Sequence, residues 1–482
     1  MEVTIRKKAN MLEIKPAMRL LHVLTPMLTF VRKKPRYGPQ RGKQGRMDLT
    51  ETYLYRLEEE KDRLYTFAGF LTRIVECLRG YNHVVRYEDL SPIDEFEPVF
   101  ENIADVQLRK SQEDMLAIIL SCDRAQLNGL TAMGKTFLIK QAVRLFPYPN
   151  CHIVIAAQQR PIVNALHRDL NEMFPGQVGK VGCGAKDPRR ITVATAKSLM
   201  KCHVEKTRIL FYDEVHTAGA EKVSSDLVNF MNSKMFGFSA STECRMDGAN
   251  ALVEGLFGPV RITITYERGV QEGIVPEIDT HFYRVHLDEF NHKNPVIRKR
   301  KQVYHNVDWN GAVVRTAKHW ETQFEDPQIL VITDTLEHVM RLGQQLPGYE
   351  WVYASADAKQ IKKFVKKGLI PEDWKPVTGR RMDDVIRNFE SGAIRKVIST
   401  TTLGTGVDLR HLDVMIRADA GSSEVSNIQY RGRVSRGQRG VYCDFMVVGD
   451  ANERRRSKTR YRSCKKAGWN PVEEDLPSDT GS

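Results

Sequence analysis

The chain is poor in cysteine, and none of its cysteines stands at metal-ligand spacing. The eight, at 77, 122, 151, 183, 202, 244, 443 and 464, are scattered with no C-x-x-C pair. That argues against a structural zinc site or a disulfide framework and favours reduced thiols of the cytosolic kind. Cys202-His203 has no companions at ligand spacing and reads as packing or surface. Long apolar runs are also missing. Met18–Val31, flanked by Lys15, Arg19 and Arg32-Lys33-Lys34, imitates a signal peptide but holds His22 and a central Pro26 and lacks a small-residue cleavage pattern. It is too short to span a bilayer; a strand–turn–strand in a soluble domain is expected, with the chain in the cytoplasm. Acid is absent from Arg32–Arg46, where seven basic residues sit among Pro, Gly and Gln.

What is present is an ordinary globular composition with a strong basic bias. A chain of 482 residues exceeds one core and implies about three domains. The net charge of +13 favours a polyanionic partner, because Lys and Arg on phosphates release condensed counterions. Residues 1–105 stand apart as an N-terminal accessory domain, with a helical reading over Tyr53–Val75 and an acidic connector, Asp94–Glu101, at its end.

From 106 short strand-like runs, at Cys151–Ala157, Ile191–Thr195, Arg208–Asp213 and Met235–Ser239, the first two rich in β-branched residues, alternate with amphipathic segments such as Pro161–Phe174. Such alternation implies a parallel sheet covered on both faces, with functional residues at the carboxyl ends of its strands. The rhythm stops near Pro276–Asn294 and restarts with Ile329–Thr333, Trp351–Ala354, Lys396–Thr400, Asp413–Ile416 and Val441–Val448 as strands. Helices are expected there at Thr335–Leu346, Met382–Glu390 and Val425–Arg436. The resulting divisions are 106–280, 281–450 and a basic, then acidic and disordered tail, 451–482. The fold class is α/β: two tandem domains with parallel sheets and a small α+β N-terminal domain.

Three stretches carry chemistry. Gly129-Leu-Thr131-Ala-Met-Gly134-Lys135-Thr136 precedes a helical run, so its backbone N–H groups can cradle phosphates at the positive end of that helix. Lys135 would sit between the β- and γ-phosphates, and the Thr136 hydroxyl would ligate Mg²⁺. Asp213-Glu214 ends an apolar strand; Asp213 would hold the metal, and Glu214 would orient the attacking water. Gln429-Tyr-Arg-Gly-Arg433-Val-Ser-Arg436 places two arginines three residues apart, on one face of a helix or turn, as a transferring γ-phosphate requires. Together they describe a two-lobed ATP motor.

These residues, with the others between 109 and 436, resemble a superfamily-2 helicase. Arg109-Lys-Ser-Gln112 resembles the motif before the P-loop, which implies that Arg109 and Gln112 meet the adenine end of ATP. Asp213-Glu-Val-His216 resembles the DExH box. Ser239-Ala-Ser241 resembles the motif that couples hydrolysis to lobe movement, through His216. Thr400–Asp408 resembles the motif whose threonines Thr400 and Thr401 hold a track phosphate while Gly406 and Asp408 approach the nucleotide. The resemblance places strand grips at Gln158, Arg160, Thr195, Lys197 and Ser198 in the first lobe and at Thr333 and Asp334 in the second. Phe238–Gly248 with Leu256-Phe-Gly-Pro259 is similar to the corresponding stretch of UvsW-type phage recombination helicases and XPB-like translocases. Ser241-Thr242 stands where those have Thr-Pro.

The resemblance implies two RecA-like lobes, ATP and Mg²⁺ as cofactors, and a monomeric motor that remodels forked or branched DNA in the 3′ to 5′ direction, alongside replication or recombination proteins. An RNA helicase is the alternative, since phosphate grips do not tell DNA from RNA. The basic run with Arg32, Lys33, Lys34, Arg36 and Arg41 is expected to bind duplex, and Lys359–Arg381 with Trp374, or the N-terminal domain, to split it.

Overall fold

The computed structural model describes residues 1–478 apart from 36–46, 92–95, 131–132, 159, 231, 241–247, 354–355, 375–378, 402, 404–408, 410–411, 423–429, 431, 433 and 435–439. The chain divides into two compact units, residues 1–129 with 134–264 and residues 130–133 with 265–482. No helix among the described residues is long and apolar enough to cross a membrane, and the described cysteines are all free.

The first unit opens with β1 (Glu2–Lys8), β2 (Met11–Lys15), β3 (Thr29–Pro35), β4 (Met47–Tyr53), β5 (Tyr55–Glu58), β6 (Arg63–Phe67) and β7 (Val84–Asp89). Five of these form a sheet in the order β5-β6-β2-β1-β7, while β3 and β4 pair antiparallel as a separate ribbon. Two expectations fail here. The α-helix begins only at Leu71 and runs to Gly80, whereas the apolar spacing predicts helix over Tyr53–Val75. Leu64 and Thr66 are buried and alternate with partly exposed Arg63, Tyr65 and Phe67, the two-residue period of a strand, and Asp62 turns the chain at φ 50°. Met18–Val31 forms a 3-10 turn, a helix Leu21–Met27 and the start of β3 rather than strand–turn–strand. Pro26 falls in the last turn of that short helix, which stops at Leu28.

The larger sheet of this unit contains β8 (Arg124–Asn128), β9 (His152–Ala157), β10 (Val178–Gly182), β11 (Ala185–Asp187), β12 (Ile191–Thr195), β13 (Thr207–Asp213), β14 (Lys234–Ser239) and β15 (Val260–Thr263). Their order is β11-β10-β12-β9-β13-β14-β8-β15, parallel except for the β10–β11 pair. The strands β8 and β9 are almost wholly buried, as a parallel sheet covered on both faces demands. One apolar core runs from Val3 and Leu12 of the N-terminal sheet, through Phe70 and Ile74 of the helical segment beside it, to Leu210 of the larger sheet and Leu252 and Phe257 beside that sheet.

The second unit holds β16 (Ile278–Leu287), β17 (Ile329–Ile332), β18 (Glu350–Val352), β19 (Lys396–Ser399), β20 (Val414–Arg417), β21 (Gly440–Gly449) and β22 (Val472–Asp475). They form one parallel sheet in the order β18-β19-β17-β20-β21-β16-β22. The strand β16 occupies the stretch where the sequence rhythm stops, its apolar run broken by His281, Arg284 and His286. Its neighbour β22 overturns the expectation of a disordered acidic tail. Arg284 meets Glu473 at 3.0 Å and Asp475 at 2.9 Å, and His281 Nδ1 lies 2.5 Å from Glu474 Oε1, so β16 neutralises the acids that made the segment look unstructured. Between β21 and β22 runs the helix Ala451–Lys466. Most of the helix expected at Val425–Arg436 lies outside the described residues.

Candidate functional site

In the first unit the parallel strands bring their carboxyl ends to one edge, in the order β12, β9, β13, β14, β8. Gly129 follows β8, and its N–H donates to the Ser239 carbonyl at 2.9 Å, pinning the start of the phosphate loop to the end of β14. Gly134 at φ +82° is the N-cap of the helix Lys135–Arg144; only glycine enters that left-handed region without strain. A Cβ there would also lie 2.9 Å from Gln112 Nε2, so Gln112 packs directly on the loop. Gln112 is buried, and its Oε1 accepts from the Arg109 N–H at 3.1 Å at the start of the helix Lys110–Ser121. Lys135 is buried with Nζ 3.5 Å from the Gly129 carbonyl, folded back on the loop it is expected to serve. Thr136 is exposed on the first helical turn.

Asp213 ends β13, and Glu214 adopts φ 56° before the 3-10 turn Val215–Gly219. Gly237 on the neighbouring β14 lets that turn pack close, since a Cβ there would lie 2.3 Å from Val215. His216 Nδ1 is 3.0 Å from Ser239 Oγ and 3.3 Å from Glu214 Oε2, and Ser239 Oγ donates to the same Glu214 oxygen at 3.3 Å. Burial and the adjacent Glu214 charge push the Asp213 carboxyl up, with Lys135 offsetting only part. Burial alone would raise Glu214 as well, but the Lys135 charge, then His216 and Ser239, bring it below the usual carboxylate range.

The residues fit a magnesium ion. Asp213 is a half-buried carboxylate short of positive charge, which a hard divalent cation would relieve, and the Thr136 hydroxyl is a second oxygen donor. Among the described residues no group of three or more His, Cys, Asp or Glu could hold a metal.

Other expected residues of this unit share the same edge. Gln158 and Arg160 are exposed just beyond β9, and Lys197 is exposed just beyond β12. Thr195 Oγ1 donates to Ser198 Oγ at 2.9 Å, which fixes that turn. Arg32 is placed differently: its Nη2 donates to the Gly219 carbonyl at 2.6 Å, a contact within the protein. Lys33 and Lys34 lie on β3, paired with Leu49 and Asp48. Thr131, Ser241, Arg36 and Arg41 lie outside the described residues.

In the second unit Thr333 and Thr400 follow β17 and β19, which pair in register up to Ile332 and Ser399. Thr333 is fully buried, and its hydroxyl donates to the Ser399 carbonyl at 3.2 Å, leaving its side chain no exposed surface for a track. Thr401 is exposed. Asp334 is held by Lys299 and Tyr304, each at 2.6 Å, partners about thirty residues distant in sequence that no motif signals. Trp374 is half-buried and packs against Trp351 and Tyr353 at ring distances of 6.5 and 6.3 Å, beside the small core of Met340, Phe364, Leu369 and Ile370. Gly406, Asp408, Gln429, Arg433 and Arg436 lie outside the described residues.

Two domain families match the chain. Residues 105–243 match the Type III restriction enzyme res subunit, and residues 325–438 match the helicase conserved C-terminal domain. The chain is a superfamily-2 helicase in its domain make-up. A protein described as helicase 22 of Sulfolobus islandicus filamentous virus is 26% identical to it over 238 residues, 48% of this chain and 40% of that protein. RecG of Thermotoga maritima is 28% identical over 151 residues, 29% of this chain and 19% of that protein. The chain thus spans less than half the length of both relatives. XPB2 of Sulfurisphaera tokodaii is 21% identical over 374 residues, 72% of this chain and 83% of that protein. Among solved structures, S. cerevisiae Dbp5 matches at TM-score 0.54 and 14% identity, covering 78% of this helicase and 93% of Dbp5. T4 UvsW covers 99% of both chains at TM-score 0.44 and 15% identity. The Dbp5 likeness identifies the fold as two RecA-like lobes, to which this helicase adds its β-rich N-terminal sheet.

Proposed function

We propose that the protein is an ATP-driven DNA helicase or translocase that unwinds or branch-migrates forked DNA, moving 3′ to 5′. The observation that carries the ATPase reading is the cluster of Lys135, Asp213, Glu214, His216 and Ser239 at one sheet edge. Lys135 and the loop N–H groups bind the phosphate chain. Glu214, kept ionised by Lys135, His216 and Ser239, orients water and accepts its proton. Asp213 and Thr136 would hold magnesium, which when bound would neutralise charge developing on the phosphates. The bond from His216 to Ser239 joins the hydrolytic carboxylate to the end of β14, so a change at the γ-phosphate reaches that strand.

DNA as the track, and the direction, are supported by the relatives: RecG is named an ATP-dependent DNA helicase and XPB2 a DNA 3′-5′ translocase. The RNA alternative has its own support in a yeast eIF4A named an RNA helicase, 31% identical over 101 residues. Steady-state ATP hydrolysis with no nucleic acid, single strands, duplex, a four-way junction and matched RNA decides between them, with Lys135→Ala as blank. Strongest stimulation by the junction is expected. Stimulation mainly by RNA hands the track to RNA, and indifference to every polymer removes the motor reading.

A further inference from the structure

The helix Ala451–Lys466 carries a charge pattern that the ATPase chemistry leaves unused. Its buried side chains, Glu453, Ser457, Arg460 and Cys464, recur at three- and four-residue spacing and fix one face against the sheet. Arg460 Nε meets both carboxylate oxygens of Asp444 at 2.9 and 3.0 Å, and its Nη2 donates to the Phe445 carbonyl at 3.0 Å. Asp450 caps the helix by accepting from the Asn452 and Glu453 N–H groups at 3.0 and 2.9 Å. A fully buried ion pair and a cap hold the helix against rolling.

On the opposite face Arg454, Arg455, Lys458, Arg462, Lys465 and Lys466 are all exposed. At 3.6 residues per turn they fall within an arc of about 120°, and at 1.5 Å per residue the stripe is about 18 Å long. Glu453, the one acid of the helix, is buried and paired with Arg456 at 2.9 Å. Among the described residues no carboxylate pairs with the stripe. Because β21 runs parallel with β17 and β19, the helix starts at the sheet edge that carries Thr333 and Thr400 and runs back from it.

We propose that this face binds the phosphate backbone of a duplex arm of the nucleic acid on which the motor works, a contact separate from the track residues. The proposal rests on the motor reading for the presence of that polymer. Charge alone selects a polyanion. Duplex is selected over single strand because the stripe offers no base-stacking ring: Tyr461, the helix's aromatic residue, donates to the Pro471 carbonyl at 3.1 Å and packs on Phe282 at 5.2 Å. Contacts of this kind position a duplex without reading its sequence.

The test uses the full chain with Arg455, Lys458, Arg462 and Lys465 all changed to Ala, which keeps helix propensity. Binding of a duplex of about 20 base pairs and of a single strand of equal length is followed by fluorescence anisotropy from about 50 to 200 mM salt. For duplex the slope of log K against log salt is expected to fall by about three, at up to about 0.9 per cation, with the thermal midpoint and the ATPase rate at saturating single strand unchanged. An unchanged duplex slope overturns the proposal, and an equal loss on the single strand overturns the choice of duplex. Failure of the motor reading is seen separately, as wild-type hydrolysis indifferent to nucleic acid.

Discussion

Arg32 Nη2 donates to the carbonyl of Gly219 at 2.6 Å, tying the base of the β3–β4 ribbon to the last residue of the turn after the Asp-Glu-Val-His stretch. Arg32→Ala leaves that carbonyl without its charged donor and is expected to destabilise the first unit by about 1.5 kcal/mol, read by chemical denaturation. The salt dependence of DNA binding is expected to stay at the wild-type slope. A lowered slope with unaltered stability would return Arg32 to the nucleic-acid contacts.

Lys135 supplies positive charge to the loop and holds Glu214 ionised. Lys135→Ala and Glu214→Gln are each expected to lower ATP hydrolysis at least about 10²-fold, the scale of losing one preorganised electrostatic group, measured as phosphate release at saturating ATP. A variant keeping more than about a tenth of the wild-type rate, under about 1.4 kcal/mol of barrier, would remove that residue from catalysis.

Ser239 touches both His216 and Glu214. Ser239→Ala removes hydrogen bonds without removing the carboxylate, so hydrolysis is expected to fall by less than about tenfold while strand displacement falls further. Equal losses in the two assays would make Ser239 part of the hydrolytic step and not a coupling residue.

His338 makes the second unit acid-sensitive. It is fully buried, its Nε2 lies 2.9 Å from Asn310 Oδ1, and its Nδ1 has no hydrogen-bond partner. A proton on Nδ1 would be a buried charge with no acceptor. Burial, aided by Lys299, outweighs Asp419 and Asp334 and lowers the imidazole to about 3. The unfolded chain binds that proton near pH 6.5, so this contribution is complete above about 6.5 and is lost at about 1.4 kcal/mol per pH unit as pH falls toward the folded value. Urea melts followed by tryptophan fluorescence are expected to lose about 2 kcal/mol between about pH 7 and 5, and less in His338→Gln. An identical loss in that variant would exonerate His338.

Residues with a chemical job were the most legible in the sequence. Gly134, Lys135, Asp213 and Glu214 are constrained by the phosphate chemistry itself, and β9 and β12 near them are largely apolar runs whose reading does not depend on distant partners. The failures share one cause. Val472–Asp475 looks unstructured until Arg284 and His281 of β16 are set beside it. The strand β16 in turn looks like a loop because its polar residues face those acids. Thr333 resembles a strand grip in sequence, and only the neighbouring Ser399 carbonyl shows its hydroxyl to be internal. Tyr53–Val75 has apolar residues compatible with both periods, and the left-handed turn at Asp62 decides for strands.

The pairing of β16 has a consequence for the newborn chain. It is the first strand of its sheet to be synthesised, yet its partners are β21 and β22, in the registers Ile278 with Gly440 and His281 with Val472. Pairing across such a separation is slow, so on the ribosome β16 waits with both edges open until β21 is made. An open edge invites pairing with a neighbour's. A chain stalled anywhere between Leu287 and Gly440 therefore offers Phe282, Tyr283 and Val285, buried in the finished protein, to other nascent chains on the same message.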